Sequence, residues 1–137
     1  MDTPRDQSPL KACEDKLLRL LAQHSFQYSA EPVFTLASGR KSRYYINCKK
    51  TTCLSEAMPL LGQLFFERIK AIEQRDGEQI AAVGGLTLGA DPIAYAIAHH
   101  SALAGEPIQA FSVRKEPKGH GSKKWVEGFE QPGARYL

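Results

Sequence analysis

An α/β fold built on a parallel sheet is what this chain of 137 residues predicts, and three observations predict it. Two short apolar runs, QIAAVGG (79–85) and IQAFSV (108–113), have the length and composition of buried strands. Between them lies DPIAYAIAHHSALAG (91–105), which reads as a helix with Asp91 at its N-cap, Pro92 at the first helical position and Gly105 at its exit. Strand, helix and strand joined by short links make a βαβ unit, which closes as a parallel pair with the helix laid across it.

The remaining elements follow in chain order. Ser8 to His24 predicts an amphipathic helix: Ser8 caps it, Pro9 sits in its first turn, and Cys13, Leu17, Leu20, Leu21 and His24 recur at helical spacing. VFTLA and YYINC are β-type runs joined around Ser38-Gly39-Arg40, the chemistry of a hairpin with a longer turn. SEAMPLLGQLFFERIKAI, from Ser55 to Ile72, has a helical apolar stripe at 58, 61, 64, 65, 69 and 72, with Ser55 as its cap, Pro59 tolerated near its start and Asp76-Gly77 closing the region. ARYL, residues 134–137, reads as the beginning of a further strand.

Composition narrows the function classes. The length suits one domain. With 42% hydrophobic and 24% charged residues the chain is globular in composition rather than disordered. Its longest apolar stretches are broken by glycine and fall short of the roughly 20 residues of a membrane helix. The polar, acidic start MDTPRDQSPLKACEDK does not resemble a secretory signal, so a cytoplasmic protein is expected. Three cysteines, Cys13, Cys48 and Cys53, make an odd count that argues for free thiols rather than a disulfide framework. Cys48 and Cys53 lack a second ligand pair to complete a zinc site, and no metal-ligating residues are assigned.

Charge is distributed unevenly. The formal net charge is only +3, yet Arg114, Lys115, Lys118, Lys123 and Lys124 crowd one segment, RKEPKGHGSKKW, against the single acid Glu116. A second basic patch, SGRKSRYYINCKK, holds Arg40, Lys41, Arg43, Lys49 and Lys50 with no acid. Three segments carry candidate chemistry. GGLTLG (84–89) is either a tight strand-to-helix turn or an anion site, where unpaired amides and the helix dipole favour phosphate. The loop 114–125 is either a solvated surface segment or a cationic lid; it leaves the C-terminal end of a parallel strand, the edge where open α/β sheets bind ligands. SGRKSRYYIN is a basic hairpin whose interleaved aromatics would also suit single-stranded nucleic acid. His24, His99 and His100 lie on predicted helices as packing or surface residues.

FTLASGRKSRYYIN, VGGLTLGADPIA and FSVRKEPKGHGSKKWVEG, in this order and spacing, closely resemble the bacterial orotate phosphoribosyltransferases of the type I phosphoribosyltransferase family. The resemblance runs from about Phe34 to Leu137 and implies a parallel sheet flanked by helices with a small N-terminal hood. It divides the single partial domain 1–137 into hood elements at roughly 1–54 and a βαβ core with its loop at roughly 55–137. It implies transfer of ribose 5-phosphate from phosphoribosyl pyrophosphate (PRPP) to N1 of orotate, in UMP biosynthesis, with Mg²⁺ bound mainly through PRPP. The expected partners are these two small molecules and a second copy, in a homodimer sharing loop 114–124, with neither membrane nor nucleic acid. By the same likeness Arg114, Lys115, Lys118 and His120 bind PRPP phosphates, Lys118 and His120 acting catalytically on the departing pyrophosphate. Thr87 and Leu88 belong to the pyrophosphate turn, and Tyr45 and Ile46 line the orotate pocket. Two lysines found in some members are replaced by Ala37 and Leu88. The family's paired carboxylates on a strand, which hold the ribose, are absent: the one adjacent acidic pair, Glu14-Asp15, is on the first helix. The expectation is an incomplete sheet, the N-terminal two-thirds of such an enzyme, with little activity alone. The alternative is a non-enzymatic regulatory or nucleic-acid-binding relative.

Overall fold

The computed structural model describes residues 8–117, 119, 121 and 124–137. Helix α1 spans Pro9–Leu20, with the Lys11 amide donating to the Ser8 hydroxyl at 3.2 Å and Cys13, Leu17 and Leu20 buried along one stripe. The predicted helix ends in a wider form: Leu21–Ser25 is a π turn closed by the Phe26 amide on the Leu21 carbonyl. The Thr51 hydroxyl also reaches the Leu20 carbonyl, at 3.3 Å.

Four short strands follow: β1 (Phe26–Tyr28), β2 (Phe34–Thr35), β3 (Lys41–Ser42) and β4 (Tyr44–Ile46). The predicted turn forms, with Gly39 at φ +80° and its amide on the Leu36 carbonyl at 2.8 Å. Its strands pair differently from the expectation. Phe34 and Thr35 pair with Ser42 and Lys41, whereas Tyr44–Ile46 pairs antiparallel with β1, Tyr28 opposite Tyr44 and Phe26 opposite Ile46. The Tyr44 amide donates to the Ser42 hydroxyl at 3.0 Å, breaking the ladder between β3 and β4 and redirecting the chain.

A short helix α2 (Lys49–Thr52) precedes α3, which runs Met58–Asp76 and stops at the left-handed Gly77. Ser55 does not cap α3. The N-cap is Ala57, and the Leu54 carbonyl accepts the Ala57 and Met58 amides at 3.0 and 3.2 Å, so a backbone turn leads into the helix. Next come β5 (Ala82–Leu86), α4 (Asp91–Leu103) and β6 (Gln109–Val113), with β5 and β6 parallel and Val83 opposite Ala110. The βαβ unit is as the sequence predicts. Asp91, however, lies one residue inside α4, whose N-cap is Ala90, and its carboxylate is taken by Ser112.

The sheet is mixed rather than purely parallel. Strand β7 (Val126–Gly128), just past the loop 114–125 in a segment given no element from the sequence, returns antiparallel to β6 with Glu127 opposite Ser112. On the other side of β5, Tyr136 bridges Ala82 in parallel, and the Gly84 amide donates to the Leu137 carbonyl at 3.0 Å, the strand start predicted for ARYL. Two apolar clusters hold these layers. Phe66, Ile69, Ile80, Val83, Ala94, Ile97 and Ile108 join α3, α4 and the sheet. Cys13, Leu17, Leu20, Ala57, Leu61 and Ala96 join α1 to the opposite side of α3. Each fully buried large aliphatic or aromatic side chain stabilises the fold by about 1.5–3 kcal/mol. Burial also pushes the Cys13 thiol pKa up; Cys48 and Cys53 are exposed free thiols. Among the described residues no helix is long and apolar enough to cross a membrane.

Candidate functional site

Parallel pairing of β5 with β6 sends both strands toward the same sheet edge, and the segments leaving them meet there. An open cleft of about 590 Å³ is lined by Thr87, Leu88, Ser112, Arg114, Lys115, Glu116 and Glu127. Four sequence-predicted residues, Thr87, Leu88, Arg114 and Lys115, are therefore brought together. Tyr45 and Ile46 do not line this cleft: they sit on β4, where Tyr45 stacks on Phe34 at 5.8 Å and Ile46 is exposed. Lys118 and His120 lie outside the described residues. Lys41, in the second basic patch, is turned to the Thr35 hydroxyl at 2.6 Å, and no residue of 40–50 lines the cleft.

The glycine turn is held at both ends. The Thr87 amide donates to the Val113 carbonyl and the Ala90 amide to the Leu86 carbonyl, each at 3.0 Å. Among the described residues no bond from the Leu88 or Gly89 amide is found, so two donors remain at the head of α4, where the helix dipole favours an anion. The Thr87–Leu88 peptide is cis. Leu88 itself is 71% exposed.

Three residues that sequence reasoning missed complete the cleft. Ser112 donates to Asp91 Oδ1 at 2.6 Å, and its Oγ is 3.4 Å from the Tyr95 hydroxyl, so the end of β6 is tied to the first turn of α4. Arg114 Nη1 lies 3.2 Å from Glu127 Oε1, and the Arg114 amide donates to the Trp125 carbonyl at 2.7 Å. Glu116 stands on the wall beside Lys115. Ser112 was within reach of sequence reasoning, because it lies two residues before Arg114 on a predicted strand and so shares its face. Glu127 was not, since it reaches the cleft only through the β6–β7 pairing. Among the described lining residues the cations Arg114 and Lys115 are matched by the carboxylates of Glu116 and Glu127. No group of three or more His, Cys, Asp or Glu suited to a metal ion occurs among the described residues.

No family model matches the chain. It is 48% identical over 121 residues to the orotate phosphoribosyltransferase of Aquifex aeolicus (strain VF5), covering 88% of this chain and 63% of that protein. Among solved structures it superposes with a TM-score of 0.68 on the Mycobacterium tuberculosis H37Rv orotate phosphoribosyltransferase in complex with inorganic phosphate, at 35% identity over 91% of this chain and 62% of that one. The same mycobacterial enzyme in complex with PRPP gives a TM-score of 0.62 at 34% identity, over 90% of this chain and 61% of that one. Across most of its own length the chain is thus similar in sequence and in fold to the orotate phosphoribosyltransferases, and it spans about three fifths of the length of the curated relatives it matches.

Proposed function

We propose that the chain carries the pyrophosphate-side half of an orotate phosphoribosyltransferase, which transfers ribose 5-phosphate from PRPP to N1 of orotate and releases pyrophosphate in pyrimidine nucleotide synthesis. The observation that carries this reading is the convergence of Thr87, Leu88, Arg114 and Lys115 on one cleft at the C-terminal edge of parallel strands. The likeness to curated orotate phosphoribosyltransferases supports the choice of substrates. In this reading the turn amides and the cations of 114–115 bind the diphosphate. Charge builds on the diphosphate oxygen as its bond to the ribose breaks, and cations placed there act most strongly in the transition state. Lys118 and His120 are proposed for that role, and Tyr45 and Ile46 for the orotate side. Mg²⁺ belongs to the same proposal as a hard cation carried on phosphate oxygens and water, as do a cytoplasmic setting and a homodimer sharing loop 114–124.

The paired carboxylates that, by the resemblance, hold the ribose hydroxyls are not among these 137 residues. The chain by itself is therefore expected to bind inorganic pyrophosphate with little turnover. Calorimetric titration with pyrophosphate, beside loss of orotate absorbance in the presence of PRPP and Mg²⁺, tests both statements. Binding that R114A weakens, with slow or no orotate loss, is the expected result. Failure to bind pyrophosphate overturns the reading, and rapid orotate loss overturns the expectation of low turnover. A second reading, a nucleic-acid binder, draws on the exposed Tyr28 and Tyr44, whose rings lie 5.2 Å apart beside the basic segment 40–43. Tight binding of a single-stranded oligonucleotide with no binding of pyrophosphate would favour it.

A further inference from the structure

We propose that Glu127 is a built-in competitor for the anion at Arg114, so that the cleft holds phosphate-type anions less tightly than its cations alone would; this rests on the reading of the cleft as a pyrophosphate site. Strand register brings the two side chains within reach. Ser112 and Arg114, the latter one residue past β6, fall on one face, and Glu127, directly opposite Ser112, shares that face on β7. The bond from the Arg114 amide to the Trp125 carbonyl continues the ladder past the last paired residues, which holds the guanidinium diagonal to the carboxylate. The result is the 3.2 Å contact between Arg114 Nη1 and Glu127 Oε1, with both side chains lining the cleft and both part-exposed, 40% and 45%.

Such a pair is weak and exchanges readily with a ligand, because water and ions reach both partners. An arriving phosphate competes with Glu127 for Arg114 Nη1, and it then sits beside a carboxylate. Phosphate and pyrophosphate each gain the contacted Arg114 nitrogen only in exchange for this ion pair, and each meets the repulsion of the carboxylate. Glu127 thereby penalises both ligands. Glu116 lines the same cleft but makes no ion pair among the described residues, so it serves as a control for charge alone.

The test is calorimetric titration of the 137-residue chain and its E127Q, E116Q, R114Q and R114Q/E127Q variants with inorganic phosphate and with pyrophosphate, at two salt concentrations. Circular dichroism establishes that each variant is folded. E127Q keeps the shape and a hydrogen-bonding oxygen while removing the charge. It is expected to bind both anions about two- to fivefold more tightly. The gain should exceed that of E116Q and should largely vanish in the R114Q background. Unchanged affinity in E127Q, with pyrophosphate still bound by the unsubstituted chain, overturns this inference and leaves the pyrophosphate reading standing. An equal gain in the R114Q background also overturns it, since the effect would then be long-range charge alone. Absence of pyrophosphate binding to every variant and to the unsubstituted chain overturns both.

Discussion

Ser25 and Thr51 are buried with 0% and 1% of their surface exposed, and their hydroxyl oxygens are 2.6 Å apart. The Thr51 hydroxyl oxygen also lies 3.3 Å from the Leu20 carbonyl, so one buried hydroxyl serves two partners. Thr51→Val leaves the buried Ser25 hydroxyl without this partner and removes the added contact on the Leu20 carbonyl, and is expected to destabilise the chain by about 1–3 kcal/mol. Ser25→Ala leaves the bond from Thr51 to Leu20 intact and should cost less. Urea unfolding of the two variants checks the order; equal losses would refute this account of the π turn. Both hydroxyls are invisible to sequence reasoning, since nothing local distinguishes Thr51 from Thr52. The cleft residues Thr87, Leu88, Arg114 and Lys115 were legible because each lies just beyond a predicted parallel strand. Glu127 was not, because its strand forms only after the chain has turned back on β6.

Helices α3 and α4 approach each other closely at Gly62. A β-carbon there would stand 2.6 Å from the Ala96 carbonyl oxygen and 2.8 Å from the His100 β-carbon. Backbone cannot yield as a side-chain tip does, so one helix must move. Gly62→Ala gains about 1 kcal/mol in intrinsic helix propensity, while overpacking costs typically 1–3 kcal/mol and sometimes more. The steric term should win, and a lowered urea midpoint is expected; a raised one would mean that the helices separate without loss. The helices α1, α3 and α4 and the strands β2, β4, β5 and β6 were predicted with the right type, from helical stripes and caps or from short apolar and β-type runs. Boundaries moved where backbone bonds replaced side-chain caps, as at Leu54 before α3, or where a carboxylate found a partner outside its helix, as Asp91 did with Ser112. Strand β1 was missed because its three residues, FQY, are too short to show a period.

One carboxylate ties the end of α3 to the far end of the chain. Asp76 lies 2.6 Å from Arg75 Nε and 2.6 Å from Arg135 Nη2. These guanidiniums, Arg75 first and Arg135 second, hold its pKa far below the usual carboxylate range. Since the folded value lies below the unfolded one, the stabilisation is complete above the ordinary carboxylate pKa and is lost as pH falls below about 4. Asp76→Asn removes it at every pH. The stability gap between the two proteins should therefore be widest near neutrality and should narrow from pH 5 to pH 3 in urea titrations; a constant gap would show that the pairing does not favour the folded state. The Arg135 carbonyl also accepts the Ala81 amide at 2.9 Å, so this ion pair sits where the C-terminal segment joins the sheet.

By itself the sequence determined the βαβ unit, the apolar stripes of its helices and the position of the cationic segment beyond a parallel strand. These depend on periodicity, turn residues and the handedness of one crossover, all of which act over neighbouring residues. Only the tertiary structure decided that Tyr44–Ile46 pairs with β1, that 126–128 returns as a strand, and that Glu127 stands against Arg114. Those outcomes arise from pairings between segments separated in the chain, and which pairing wins depends on what each strand can bury once the helices are in place. The basic loop was therefore readable as a candidate site for anions, whereas the carboxylate paired with Arg114 became visible only when β7 was placed beside β6.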